Sequence, residues 1–135
     1  MATILHIDDD DAMALIFSAA IEEARLQATV YRVSSGEDAL AYLRGEGRYA
    51  DRTWPNIVYL DLNMPKLDGW QVLKAMRFDK DLRSIPVVVL TTSSLQVHKD
   101  RARALGAQHY VTKPAAFEAL VAAVESSYRS FVAGA

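Results

Sequence analysis

The stretch IVYLDLNMPKLDG, residues 57–69, passes from four apolar residues to a carboxylate and then into a polar loop containing proline and glycine. A short apolar run without alternation is expected of a strand covered on both faces. Asp61 follows that run directly, so its carboxylate is expected at the carboxyl end of a buried strand. Asp68-Gly69 punctuates the loop, and Val72, Leu73 and Met76 resume at helical spacing across Trp70–Met76.

The same strand, loop and helix unit extends in both directions. Toward the C-terminus, Pro86–Leu90 (PVVVL) is the most apolar run and suggests a central strand. A weaker helical pattern covers Leu95 to Leu105 and stops at Gly106. Gln108–Val111 reads as a short last strand, and Phe117, Leu120, Val121, Val124, Tyr128 and Phe131 form a stripe along a final helix. Toward the N-terminus, Ala28–Val33 alternates as a strand, and Ser35–Asp38 resembles a capping box opening a helix through Ala39, Leu40 and Leu43. Residues 44–56 form the longest connection. Thr3–Ile7 (TILHI) begins the series as a strand, followed by helical spacing at Met13, Ile16, Phe17, Ala20, Ile21 and Ala24. Five strands alternating with five helices predict a parallel sheet covered on both faces, and right-handed crossovers favour a doubly wound α/β arrangement.

Composition narrows the class further. The chain has 135 residues, 51% of them hydrophobic and 24% charged, which predicts one domain over residues 1–135 with no output domain. No apolar run approaches the ~20 residues of a membrane span. The start MATILHIDDDD lacks the basic and long apolar segments of a secretory signal, and there is no cysteine. A cytoplasmic protein without a membrane partner is expected. The net charge is −2, with Asp8–Asp11 supplying four of the negative charges. The remainder is only slightly positive, and without a basic stripe nucleic acid is not an expected partner.

Ligands of doubly wound sheets bind beyond the carboxyl ends of the strands. Asp8 and Asp9 end the first strand, Asp61 the third and Thr91 the fourth, and Lys113 follows the fifth. A carboxylate can hold a phosphoryl group as an acyl phosphate. Neighbouring carboxylates with a backbone carbonyl suit Mg²⁺, and a lysine and a hydroxyl suit the remaining phosphoryl oxygens. Asp61 is therefore the candidate nucleophile, Asp8 and Asp9 the metal candidates, Thr91 the hydroxyl and Lys113 the cation. Taken singly, each has a structural reading: a turn former at Asp61, a strand residue at Thr91, a surface lysine at Lys113. Asp10 and Asp11 are expected only to favour the positive end of the following helix.

The set IDDDD, YLDLNMP followed by DG, VVVLTT and VTKP resembles the receiver domain of bacterial two-component response regulators. The resemblance covers essentially the whole chain. It implies a flavodoxin-like fold with strand order 2-1-3-4-5 and a phosphoryl group accepted on Asp61 from a histidine kinase. It implies Mg²⁺ (or Mn²⁺) held by Asp9, Asp61 and the backbone carbonyl of Asn63, with Asp8 acting mainly through water. Thr91 and Lys113 would contact the phosphoryl oxygens. Thr91 and Tyr110 would form the switch, and the Lys113–Pro114 bond would be cis. The long 44–56 connection and the LTTSS segment resemble small regulators that partner phytochrome-type kinases. Thr92 stands where many receivers carry a smaller residue, which predicts slower loss of phosphate.

Other readings bear on the same residues. The spacing of Tyr110 also fits a half-buried strand aromatic with its hydroxyl in water. Phe131 is expected beyond the sheet edge, where it would meet a second copy in a homodimer. A haloacid-dehalogenase-type phosphatase would use a similar site, but its usual second aspartate is replaced by Asn63, which cannot serve as general acid or base. A flavodoxin-like binding module would need a phosphate loop after the first strand, where four aspartates stand. A phosphorelay intermediate would look the same in sequence.

Overall fold

The structure, a computed structural model, describes residues 1–132. Strands β1 (Ala2–Ile7), β2 (Ala28–Val33), β3 (Ile57–Leu60), β4 (Val87–Thr91) and β5 (His109–Thr112) alternate with helices α1 (Asp11–Glu23), α2 (Gly36–Arg44), α3 (Gly69–Arg77), α4 (Gln96–Ala104) and α5 (Phe117–Phe131). The strands form one parallel sheet in the order β2-β1-β3-β4-β5. This is the expected flavodoxin-like winding.

The side-chain period of two divides the interior. Leu5, Ile7, Val58, Leu60, Val87 and Val89 face one way and pack with residues of α2 and α3 such as Leu43, Leu73 and Met76. Ile4, Ile57, Tyr59, Val88 and Leu90 face the other way and pack with Phe17 and Ile21 of α1 and Leu120, Val124 and Tyr128 of α5. Every residue of β3 and β4 is buried, which accounts for their unalternating sequence.

Helix starts carry the chemistry of their caps. Asp10 accepts hydrogen bonds from the Ala12 and Met13 N–H groups, and Asp11 pairs with Arg32 at 2.8 Å. Both aspartates thus have structural roles, as expected. Asp68 opens α3 in a reciprocal capping box with Gln71. Gly69, the next residue, admits no side chain because a Cβ there would collide with the Asp61 carbonyl oxygen. That close approach sets the start of α3 directly against the end of β3. Residues 47–49 form a short 3₁₀ turn inside the long connection.

One expectation is corrected. No peptide bond among the described residues is cis, so the Lys113–Pro114 bond is trans. Trans is favoured by ~0.5–1 kcal/mol for a bond to proline, and it is compatible here with the Lys113 N–H bonding the Thr91 carbonyl at 2.6 Å. Phe131 lies at the end of α5, near the start of β5. It is half-buried against the α1/α5 core, with its ring 6.4 Å from that of His109.

Candidate functional site

The parallel winding carries the ends of β1, β3, β4 and β5 to one edge of the sheet. Asp8 is wholly buried there, Asp61 is 5% exposed and Thr91 is buried as the last residue of β4. Lys113 places its Nζ 3.0 Å from Asp8 Oδ2 and 3.6 Å from Asp61 Oδ2. Asp9 is exposed, and carboxylate oxygens of Asp8, Asp9 and Asp61 lie within 4.8 Å of one another. Three carboxylates therefore gather beside one ammonium group, which pairs with two of them. A cluster of hard oxygen donors with negative charge left over is what a small divalent cation requires.

The loop after β3 organises the rest. The Asn63 N–H donates to Asp61 Oδ1 at 3.2 Å, and the Asn63 side-chain amide donates to Thr91 Oγ1 at 3.2 Å. Met64 is buried in the α2/α3 core and anchors this loop. Burial pushes the Asp61 carboxyl above its ordinary range; the Asn63 N–H and the Lys113 ammonium oppose that push, while the charges of Asp8 and Asp9 add to it. Two effects thus favour a second positive charge here: desolvation of Asp61 and the crowding of like charges.

Asp8 is fixed from several sides. Its Oδ1 accepts from the Asp10 N–H at 2.9 Å, and its backbone carbonyl accepts from Arg32 Nε at 2.9 Å. Below it lies His6, 1% exposed, whose ring stacks on Phe17 and whose Nε2 is 3.8 Å from Asp8 Oδ2. Burial, against the attraction of Asp8, pulls the His6 imidazole down to about 4, so it is neutral near pH 7. Sequence reasoning passed over His6 and Arg32 because each lies inside a strand pattern. The only available sign was a histidine in an otherwise apolar run two residues before an aspartate.

Tyr110 is half-buried on β5, and its hydroxyl donates to the Ser93 carbonyl at 2.8 Å instead of projecting into water. Thr112 Oγ1 donates to the same carbonyl at 3.4 Å, and Ser93 Oγ lies 2.6 Å from His98 Nδ1. The segment after Thr91 is thereby tied to β5 and α4. Of the residues singled out from sequence, Asp8, Asp9, Asp61, Asn63, Thr91 and Lys113 converge. Tyr110 is linked to them through Ser93, and Phe131 stands near the start of β5, at the opposite edge.

A family model for the response regulator receiver domain matches residues 4–125. Among curated proteins, the chain is 39% identical over 123 residues to the probable methanogenesis regulatory protein FilR2 of Methanothrix harundinacea, covering 90% of this chain and 78% of that one. Among solved structures, it is similar to the Mn²⁺-bound response regulator Rcp1, a protein known from Synechocystis, with a TM-score of 0.89 and 29% identity over 100% of this chain and 97% of that one. It is likewise similar to the phosphorylated cyanobacterial phytochrome response regulator RcpA, with a TM-score of 0.90 and 34% identity over 99% and 96% of the two chains. Sequence, fold and the polar edge of the sheet agree: the chain belongs to the response regulator receiver domain family of two-component signalling.

Proposed function

We propose that Asp61 is the phosphoacceptor of this response regulator. The observation that carries the reading is the placement of a buried carboxylate directly after β3, within 3.6 Å of Lys113 and beside two further carboxylates. An Asp61 oxygen attacks the phosphorus of a phosphohistidine on a kinase. The P–N bond breaks as the new O–P bond forms, and the histidine leaves with the bond's electron pair. Lys113 and the Thr91 hydroxyl then hold phosphoryl oxygens, and Asn63 gives up its side-chain bond to Thr91. The residues suited to hold Mg²⁺ are Asp9, Asp61 and the Asn63 carbonyl, with Asp8 through water. Bound there, the cation offsets negative charge on the transferring group.

The acyl phosphate adds roughly −1.5 to −2 charge and new acceptor oxygens. Drawing the Thr91 hydroxyl inward alters the start of the segment that Ser93 ties to Tyr110, so the signal reaches the face formed by α4, β5 and α5. The output is a changed affinity for another protein. The likeness to the cyanobacterial phytochrome response regulator RcpA supports a phytochrome-type histidine kinase as the donor.

The test is incubation with labelled acetyl phosphate, with and without Mg²⁺, alongside Asp61→Asn. Labelling that requires Mg²⁺ and is lost in the variant is expected. Labelling of the variant at the wild-type level overturns the assignment, and continuous phosphate release points instead to a phosphatase.

A further inference from the structure

Asp8 has a second neighbour that the phosphoacceptor reading leaves without work. His6 is buried at the foot of the site, and neither of its ring nitrogens has a hydrogen-bond partner. Its ring lies against Phe17 with centroids 4.1 Å apart and planes at 23°, and Phe17 in turn meets Tyr59 at 4.9 Å. A phenylalanine would satisfy those aromatic contacts without burying two polar atoms. The imidazole edge instead faces Asp8 Oδ2 at 3.8 Å, beyond hydrogen-bond range. The oxygen it faces is already taken, because Lys113 Nζ donates to it at 3.0 Å.

That competition has a direction. The same Nζ lies 3.6 Å from Asp61 Oδ2, so an anion built on Asp61 draws it away from Asp8. Asp8 Oδ1 keeps its bond from the Asp10 N–H, but Oδ2 loses its side-chain donor while remaining buried. A stacked ring can slide in its own plane, and a movement of about 1 Å brings Nε2 within bonding distance. We propose that His6 is a positioning residue: its Nε2–H takes over Asp8 Oδ2 when Lys113 turns to the phosphoryl group, and so keeps the Asp8 carboxylate aimed at the cation. The inference rests on the reading of Asp61 as phosphoacceptor with a divalent cation beside it. Outer-shell groups that hydrogen-bond to metal-ligating residues affect affinity by roughly 10–100-fold.

The deciding variant is His6→Phe, which keeps the stack and removes the N–H. Mn²⁺ affinity is measured on the full chain with beryllofluoride present as the phosphoryl stand-in, and urea resistance is measured on the metal-free protein. The expected result is about tenfold weaker Mn²⁺ binding with urea resistance unchanged or raised, because two orphaned buried nitrogens are gone. Unchanged affinity in His6→Phe, with the wild type binding, overturns the role of His6 alone. Failure of the wild type to bind Mn²⁺ under these conditions overturns the site reading and the inference together. Parallel loss of affinity and urea resistance assigns His6 an ordinary structural role and also overturns the inference. Should the variant not fold, the wild type labelled with ¹⁵N-histidine decides. A His6 Nε2–H signal shifted downfield by Mg²⁺ and beryllofluoride is expected, and an unmoved signal contradicts the takeover.

Discussion

The two edges of one sheet treat their polar groups in opposite ways. At the edge where strands begin, Asn56 stands just before β3 and bonds β1 twice: its Oδ1 accepts from the Thr3 N–H and its own N–H donates to the Thr3 carbonyl, both at 2.8 Å. Gln108 repeats the device before β5, bonding the Val87 N–H through Oε1 at 2.7 Å and the Val87 carbonyl through its N–H at 2.9 Å. Those pairings are neutral and reciprocal. At the edge where strands end, a buried carboxylate shares one lysine with its neighbour and a buried histidine has no partner. Natural folds depart from local consistency mainly at functional sites, and here the departure is confined to one edge. The first edge holds the sheet together, whereas the second leaves charge and hydrogen-bonding capacity unspent, as the proposed cation and phosphoryl site requires.

The contrast can be broken most severely at Lys113. Removing it by Lys113→Ala leaves the buried Asp8 charge unpaired, which is expected to cost about 3–5 kcal/mol in the metal-free protein. Urea denaturation with and without Mg²⁺ checks this, and Mg²⁺ is expected to restore part of the loss by supplying the missing positive charge.

Acidification of the metal-free protein comes next. The His6 imidazole has its value lowered from 6.5 to about 4 in the folded state, so between those pH values the unfolded chain binds the extra proton. Stability attributable to this group is therefore full above about pH 6.5 and falls as pH drops toward 4, by about 1.4 kcal/mol per unit and about 3 kcal/mol in all. Asp61, raised by burial, acts in the opposite sense in the acid range. The measurement is thus the difference in slope between wild type and His6→Phe, with the wild type expected to lose stability more steeply.

The quiet edge is tested by Asn56→Ala, which strips the buried Thr3 N–H of its acceptor. A loss of about 1–3 kcal/mol is expected, with phosphoryl labelling unchanged; a variant that folds well but fails to label would break the separation between the edges. The smallest effect is expected at Thr92, exposed next to Thr91. Thr92→Ala opens the approach of water to the acyl phosphate and is expected to shorten its lifetime a few-fold, as followed by release of label.

What could be read in the sequence follows from the range of the interactions. Strand and helix order, the burial of β3 and β4 and the position of Asp61 are local patterns, and each was legible. The convergence of Asp8, Asp61, Thr91 and Lys113 was legible too, because a parallel winding sends every strand's carboxyl end to one edge. Pairings that depend on side-chain direction were not. Lys113 and Asp8 meet across 105 positions, the Arg32 bond to the Asp8 carbonyl spans 24, and Tyr110 finds a carbonyl 17 residues back. Periodicity carries no information on such contacts. The cis bond expected before Pro114 came from resemblance alone, and the observed trans bond shows where such transfer ends. The partial burial of Phe131 likewise depends on α5 lying along the sheet, which periodicity does not specify.

The proposal stands on Asp61, and no other carboxylate of the acidic edge, carrying the phosphoryl group. The most direct measurement is borohydride trapping of the acetyl-phosphate-treated protein, followed by mass-spectrometric mapping of the reduced residue. A single reduced position at residue 61, formed only when Mg²⁺ is present, is expected. Reduction at Asp8 or Asp9, or at residue 61 equally without Mg²⁺, would contradict it.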